Sequence, residues 1–150
     1  MTVKRIVVGT DFSDRSDAAL DAAISVAVAF QAAVDLVHVV EPGVLATPDS
    51  LGAMALATSS APIVQQIDEA LASRAEKATS AGLVCQTNSL EGDPSRELVR
   101  HAEKMKADLI VMGTHGRTGL EHVVLGSVAE RVVQHANCPV LVIPLRRRDR

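Results

Sequence analysis

The chain has 150 residues, 47% apolar but only 1% aromatic, and a formal net charge of −3 at pH 7. Such a length suits one domain burying about 70% of its unfolded surface, and without aromatic platforms or a positive field no nucleic-acid partner is expected. Two widely spaced cysteines, no charged-then-apolar leader and no apolar run near the ~18 residues of a membrane span predict a cytoplasmic protein without disulfides or membrane contact.

Apolar β-rich runs alternate with segments of helical period. The first strand is Arg5–Gly9, and Ser13 is placed to cap a helix. In that helix Leu20, Ala23, Ile24 and Ala27 form the inner stripe, and Asp14, Asp17, Asp21 and Ser25 the outer one. The second strand is Val34–Val40. Residues 41–61, with Pro42, Gly43, Pro48 and Gly52, lack periodicity and read as a mobile insertion. A second helix runs from Pro62 toward Gly82 at its C′ position, with Ile63, Ile67, Leu71 and Ala75 inward. The third strand is predicted at Leu83–Ser89. Asp93 and Pro94 then open a helix whose inner face is Leu98, Val99, Ala102 and Met105. The fourth strand is Asp108–Met112, the fourth helix Ser127–Ala136 and the fifth strand Val140–Ile143; residues 145–150 form a basic, solvated tail. Strands alternating with helices imply one α/β domain over 1–150, with a parallel sheet, right-handed crossovers and helices on both faces.

Ligands of open α/β sheets sit beyond the carboxyl ends of the strands, where strand order reverses. Two strand ends here carry polar or glycine-rich chemistry. The first continues into Gly9-Thr10-Asp11-Phe12-Ser13. If strands one and four are neighbours, Asp11 faces Gly113 across the crevice, where its carboxylate can accept from a ribose hydroxyl or simply order its own turn. The fourth strand continues into a loop with glycines at 113, 116, 119 and 126, followed by Ser127. This loop matches neither G-x-x-x-x-G-K-[ST] nor G-x-G-x-x-G. It nonetheless ends at a helix N-terminus, where the amides of Ser127, Val128 and Ala129 are free donors for an anion. The Ser127 hydroxyl can act as the N-cap or as a phosphate donor, and Arg117 can close over phosphates.

The other candidates read as structural. His115 and His122 lack metal-site spacing, so His115 is expected to order the loop and no metal site is expected. His38 reads as a hydrogen-bonded group at a strand end, His101 and His135 as helix-surface residues. Met105 and Met112 fit core positions, and Cys85 and Cys138 pack as small apolar groups. No catalytic residue is identified.

The spacing Gly113-x2-Gly116-x9-Gly126-Ser127 resembles the signature of the universal stress protein family. The opening Ile6–Ser13, the His38-Val39-Val40 end of strand two and the Asn137–Pro144 run are similar to it too. The resemblance implies a five-stranded sheet of order 3-2-1-4-5, of the adenine-nucleotide α-hydrolase-like type. It further implies Asp11 on the ribose, the Val39 backbone on adenine, and Gly9 and Thr10 beside the base. Gly9 departs from binders that carry proline there. Met112, Gly113, His115, Gly116, Arg117, Gly119, Gly126, Ser127, Val128 and Ala129 would complete the binding set. The implied ligand is ATP, or ADP or AMP, possibly with Mg2+. The implied role is a stress-response regulator that dimerises through Val140–Ile143 and is read by a protein partner. Slow ATP hydrolysis or nucleotidyl transfer at the same site is the alternative.

Overall fold

The computed structural model describes residues 1–42, 61–114 and 125–144. The expected insertion (except Glu41, Pro42 and Ala61), residues 115–124 and the tail 145–150 lie outside the described residues. The elements are β1 (Arg5–Gly9), α1 (Asp14–Phe30), β2 (Ala33–Val40), α2 (Ala61–Ser80), β3 (Cys85–Glu91), α3 (Pro94–Lys104), β4 (Leu109–Gly113), α4 (Ser127–His135) and β5 (Val140–Ile143). All strand pairs are parallel, in the order β3-β2-β1-β4-β5. The chain builds outward from β1 to β3, then returns to lay β4 on the other side of β1, with Val8 opposite Val111. That reversal leaves a crevice at the carboxyl ends of β1 and β4.

Alternation along the strands makes two cores. Ile6, Val8, Val34, Leu36 and Val111 pack with Leu20, Ala23 and Ala27 of α1 and Leu71 of α2. Val7, Val37, Ile110 and Met112 point the other way, onto Leu98, Val99 and Ala102 of α3 and Ala129 and Val132 of α4. Each fully buried Val, Leu or Ile contributes about 1.5–3 kcal/mol of transfer free energy. Both faces of the central strands are therefore apolar, as a doubly covered parallel sheet requires.

Capping follows the sequence closely. The Ser13 side chain accepts from the Ser16 amide, and Asp93 accepts from the Arg96 amide at 2.9 Å. Gly82 has φ +82°, and α2 ends with Leu83 N–H bonded to the Ala78 carbonyl and Gly82 N–H to that of Thr79. This ending explains why β3 starts at Cys85 and not at Leu83: the Leu83 amide belongs to the helix terminus. Met105 is the C-cap of α3 and only partly buried, so it sits at the end of the inner stripe.

His101 is not a surface residue. It is buried on the sheet-facing side of α3, and its Nε2 donates to Asp35 Oδ2 at 2.8 Å. Asp35, mid-strand in β2 and buried, also accepts from Asn88 Nδ2 of β3 at 2.6 Å. A buried carboxylate needs donors, and one residue from each neighbouring element supplies them. His135 is exposed, as expected, and bonds the Arg131 carbonyl.

Candidate functional site

The crevice has three walls, and each follows from where a strand stops. The first is the turn after β1. Thr10 is buried; its N–H donates to the Val37 carbonyl at 2.9 Å, and its hydroxyl lies 3.1 Å from that of Ser16. Thr10 Oγ1 also accepts from the Phe12 amide at 3.1 Å. Asp11 Oδ1 accepts from the Ser13 N–H at 3.0 Å and from the Ser13 hydroxyl. Asp11 thus does order its own turn, yet Oδ2 has no hydrogen-bond partner among the described residues. Gly9 faces the other side of the sheet, where an added Cβ would meet Leu98 Cδ2 at 3.0 Å.

The second wall is the part of β2 that outruns β1. Pairing with β1 ends at Gly9 opposite Val37, whereas pairing with β3 continues to Val40 opposite Glu91. Backbone groups alternate sides along a strand. Ala33 N–H and the Val37 carbonyl bond toward β1, while Val34 N–H and the Val40 carbonyl bond toward β3. The Val39 N–H and C=O therefore turn toward the β1 side, past the point where β1 has ended. A donor and an acceptor, spaced as a strand spaces them, border the crevice there. His38 hydrogen-bonds the Thr10 carbonyl through Nδ1 at 2.9 Å, as a structural group should.

The third wall is the junction of β4 and α4. Thr114 N–H bonds the Ile143 carbonyl at 3.2 Å, and the Thr114 carbonyl receives the Gly126 N–H at 2.6 Å. That second bond draws the start of α4 onto the end of β4. Gly126 is the N-cap and makes no side-chain cap bond, unlike Ser13 at α1 and Asp93 at α3. The first-turn amides of Ser127, Val128 and Ala129 thus lack a side-chain acceptor from the cap, which favours an anion. Ser127 is exposed, Val128 partly buried and Ala129 buried. Met112 is buried in the α3/α4 core. Gly113 has a packing reason of its own: an added Cβ would lie 3.2 Å from the Arg15 backbone carbonyl in α1.

Gly9, Thr10, Asp11, Val39, Met112, Gly113, Gly126, Ser127, Val128 and Ala129 thus belong to the carboxyl-end rim of β1, β2 and β4 or the start of α4. His115, Gly116, Arg117 and Gly119 lie outside the described residues. Sequence reasoning missed a second cluster at this rim. Arg74 of α2 pairs with Asp17 at 2.7 Å and donates to the Phe12 carbonyl at 3.0 Å. The Phe12 ring stacks on His38 with centroids 4.4 Å apart. A lone aromatic in a turn rich in small polar residues was the available signal.

Among the described residues no group of three or more His, Cys, Asp or Glu is arranged to hold a metal ion. Burial, reinforced by the nearby carboxylates Asp35 and Asp108 respectively, pushes the Cys85 and Cys138 thiols up, so both remain protonated at neutral pH. No helix among the described residues is long and apolar enough to cross a membrane.

Residues 2–144 match the model of the universal stress protein family. The chain belongs to that family. Universal stress protein MJ0531 of Methanocaldococcus jannaschii is 44% identical over 140 residues, covering 93% of this chain and 81% of its own length. Among solved structures, MJ0577, described as a hypothetical protein, has a TM-score of 0.82 at 26% identity, over 98% of this chain and 99% of that one. A universal stress protein in complex with cAMP has a TM-score of 0.70 at 29% identity, over 96% and 98% of the two chains. Another, from Archaeoglobus fulgidus in complex with dAMP, has 0.68 at 26% identity, over 95% and 99%. The fold is therefore that of the universal stress proteins, as the sheet order already indicates.

Proposed function

We propose that this universal stress protein binds an adenine nucleotide (ATP, or ADP or AMP) in the crevice between the ends of β1 and β4. The observation that carries the reading is the convergence on that crevice of three polar groups left unfilled by the described residues. They are the Val39 backbone pair, Asp11 Oδ2 and the first turn of α4, which has no side-chain cap. Each suits one part of an adenylate. Adenine presents an amine donor beside a ring-nitrogen acceptor, complementary to the Val39 C=O and N–H. A ribose hydroxyl can donate to Asp11 Oδ2. Phosphate oxygens accept from Ser127, Val128 and Ala129 and gain from the helix dipole. In this reading Gly9 and Thr10 flank the base, and the binding set also includes Met112 and Gly113 at the end of β4 and His115, Gly116, Arg117 and Gly119, which lie outside the described residues. Related universal stress proteins bind cAMP and dAMP, which supports an adenylate ligand.

Mg2+ accompanies ATP as the phosphates' counter-ion. The chain acts as a cytoplasmic regulator whose nucleotide occupancy changes a surface read by a protein partner. It forms a homodimer through the free edge of β5, Val140–Ile143. We assign no catalytic step. Hydrolysis would need a group to position water, and Asp11 is committed to its turn and the ribose.

Adding ATP to 15N-labelled protein tests the reading. The Val39, Ser127, Val128 and Ala129 amide resonances are expected to shift together on one saturating curve. A titration that moves none of them overturns it.

A further inference from the structure

Asp11 sits in a turn, Gly9–Ser13, that is held from outside by two other elements. On one flank His38 of β2 donates from Nδ1 to the Thr10 carbonyl at 2.9 Å. On the other, Arg74 of α2 donates to the Phe12 carbonyl at 3.0 Å. The same guanidinium lies 4.9 Å from the centroid of the Phe12 ring, whose own centroid is 4.4 Å from that of His38. Asp17 of α1 aims the guanidinium, with Nε to Oδ1 at 2.7 Å and a terminal nitrogen to Oδ2 at 3.4 Å. Phe12 needs this support. Its φ is +65°, a left-handed conformation that a bulky side chain disfavours and that persists only when surroundings enforce it.

We infer that Arg74 is a positioning residue for the nucleotide site, holding Phe12 left-handed so that Asp11 keeps its second carboxylate oxygen turned to the ribose. The inference rests on the reading under Proposed function. Its logic is the shortness of the turn. Ser13 is fixed as the N-cap of α1, and its N–H and hydroxyl hold Asp11 Oδ1. Phe12 is the single residue between them. A relaxation of Phe12 to negative φ swings the Asp11–Ser13 clasp open, because the helix start cannot follow. Arg74 prevents it with one planar group that serves a carboxylate, a carbonyl and a ring face at once. A lysine ammonium cannot make that fork.

The test is calorimetric titration of ATP and 2′,3′-dideoxy-ATP into the wild type, Arg74→Ala, Arg74→Lys, Asp11→Ala and the Asp11→Ala/Arg74→Ala double variant. The wild type is expected to prefer ATP over its dideoxy analogue, and Asp11→Ala to abolish that preference. Arg74→Ala should erode most of it, weakening ATP about five- to fiftyfold while changing the analogue little, and Arg74→Lys should fall between. In the Asp11→Ala background, Arg74→Ala should change ATP affinity less than about twofold. Should Arg74→Ala prove unfolded, Arg74→Lys carries the same comparison, with urea unfolding reporting its stability. The inference is overturned if the arginine variants weaken both nucleotides by one factor, or if the effect is as large without Asp11 as with it. A wild type that binds neither nucleotide defeats the proposed function instead, so the two failures are distinct.

Discussion

His101→Ala is the sharpest test of the packing between β2 and α3. Asp35 and His101 side chains are 4% and 8% exposed, and the imidazole supplies the only donor to Oδ2 recorded among the described residues. Truncation leaves Oδ1 with Asn88 and Oδ2 with nothing in a site closed to water. Breaking a buried pair by removing one partner costs about 3–5 kcal/mol, a large share of the roughly 5–15 kcal/mol that holds a domain together. With a urea m-value of about 2 kcal/mol/M, the midpoint should fall by about 2 M. Urea unfolding followed by circular dichroism measures this directly. Asp35→Asn combined with His101→Ala should cost less than the sum of the two single changes, by about 0.5–3 kcal/mol. A loss below about 0.5 kcal/mol for His101→Ala, as for a surface histidine, would refute the reasoning.

Three further outcomes are expected. Gly113→Ala should destabilise by about 1–3 kcal/mol in urea, because the new Cβ meets α1 backbone, which cannot yield like a flexible side chain; an unchanged midpoint would contradict this. Asp93→Ala should cost about 1 kcal/mol at neutral pH through loss of the α3 cap. The Ser95 hydroxyl foremost, then the Arg96 amide, hold the Asp93 carboxyl below the usual carboxylate range. A depressed folded pKa gives stability that is present above the unfolded value of about 3.9 and lost as pH falls through the folded one. The gap between parent and variant should therefore narrow between pH 5 and pH 2 (about the carboxylate range), and a gap independent of pH would contradict it. Val142→Pro should yield monomers by light scattering. Ile143 C=O bonds inward to Thr114, so by alternation the Val142 N–H faces the free edge, and proline there removes an outward donor without breaking the β4 ladder. A variant that remains dimeric would place the interface elsewhere.

Most of the fold was legible because the punctuation is strong. Asp93-Pro94 opens α3, Gly82 closes α2, and the aliphatic runs mark β1, β2, β4 and β5. Strand order came from family resemblance, since periodicity says nothing about which strands are neighbours. The edge strand β3 was misplaced by two residues because its polar alternation is weak and a helix ending claims Leu83. His101 was misread although it shares the inner stripe with Leu98 and Ala102. Its partner Asp35 is distant in sequence, and only the β2–α3 packing brings them together. At the start of α4 the sequence offered Ser127 as a cap, but the N-cap is Gly126, and the Ser127 hydroxyl sits one residue inside the helix. The Val39 edge depends on β2 outrunning β1, and the Arg74–Phe12 clamp joins elements whose packing no local pattern encodes.

The central claim is that the crevice selects adenine through the Val39 backbone. Calorimetric titration of ATP and GTP into the same preparation tests it most directly. Guanine offers an acceptor and a donor where adenine offers a donor and an acceptor, so it meets the Val39 C=O and N–H with the wrong polarity. ATP is expected to saturate one site per chain, with GTP weaker by at least about tenfold, the equivalent of about 1.4 kcal/mol. Equal affinities, or no heat with ATP, would contradict the account.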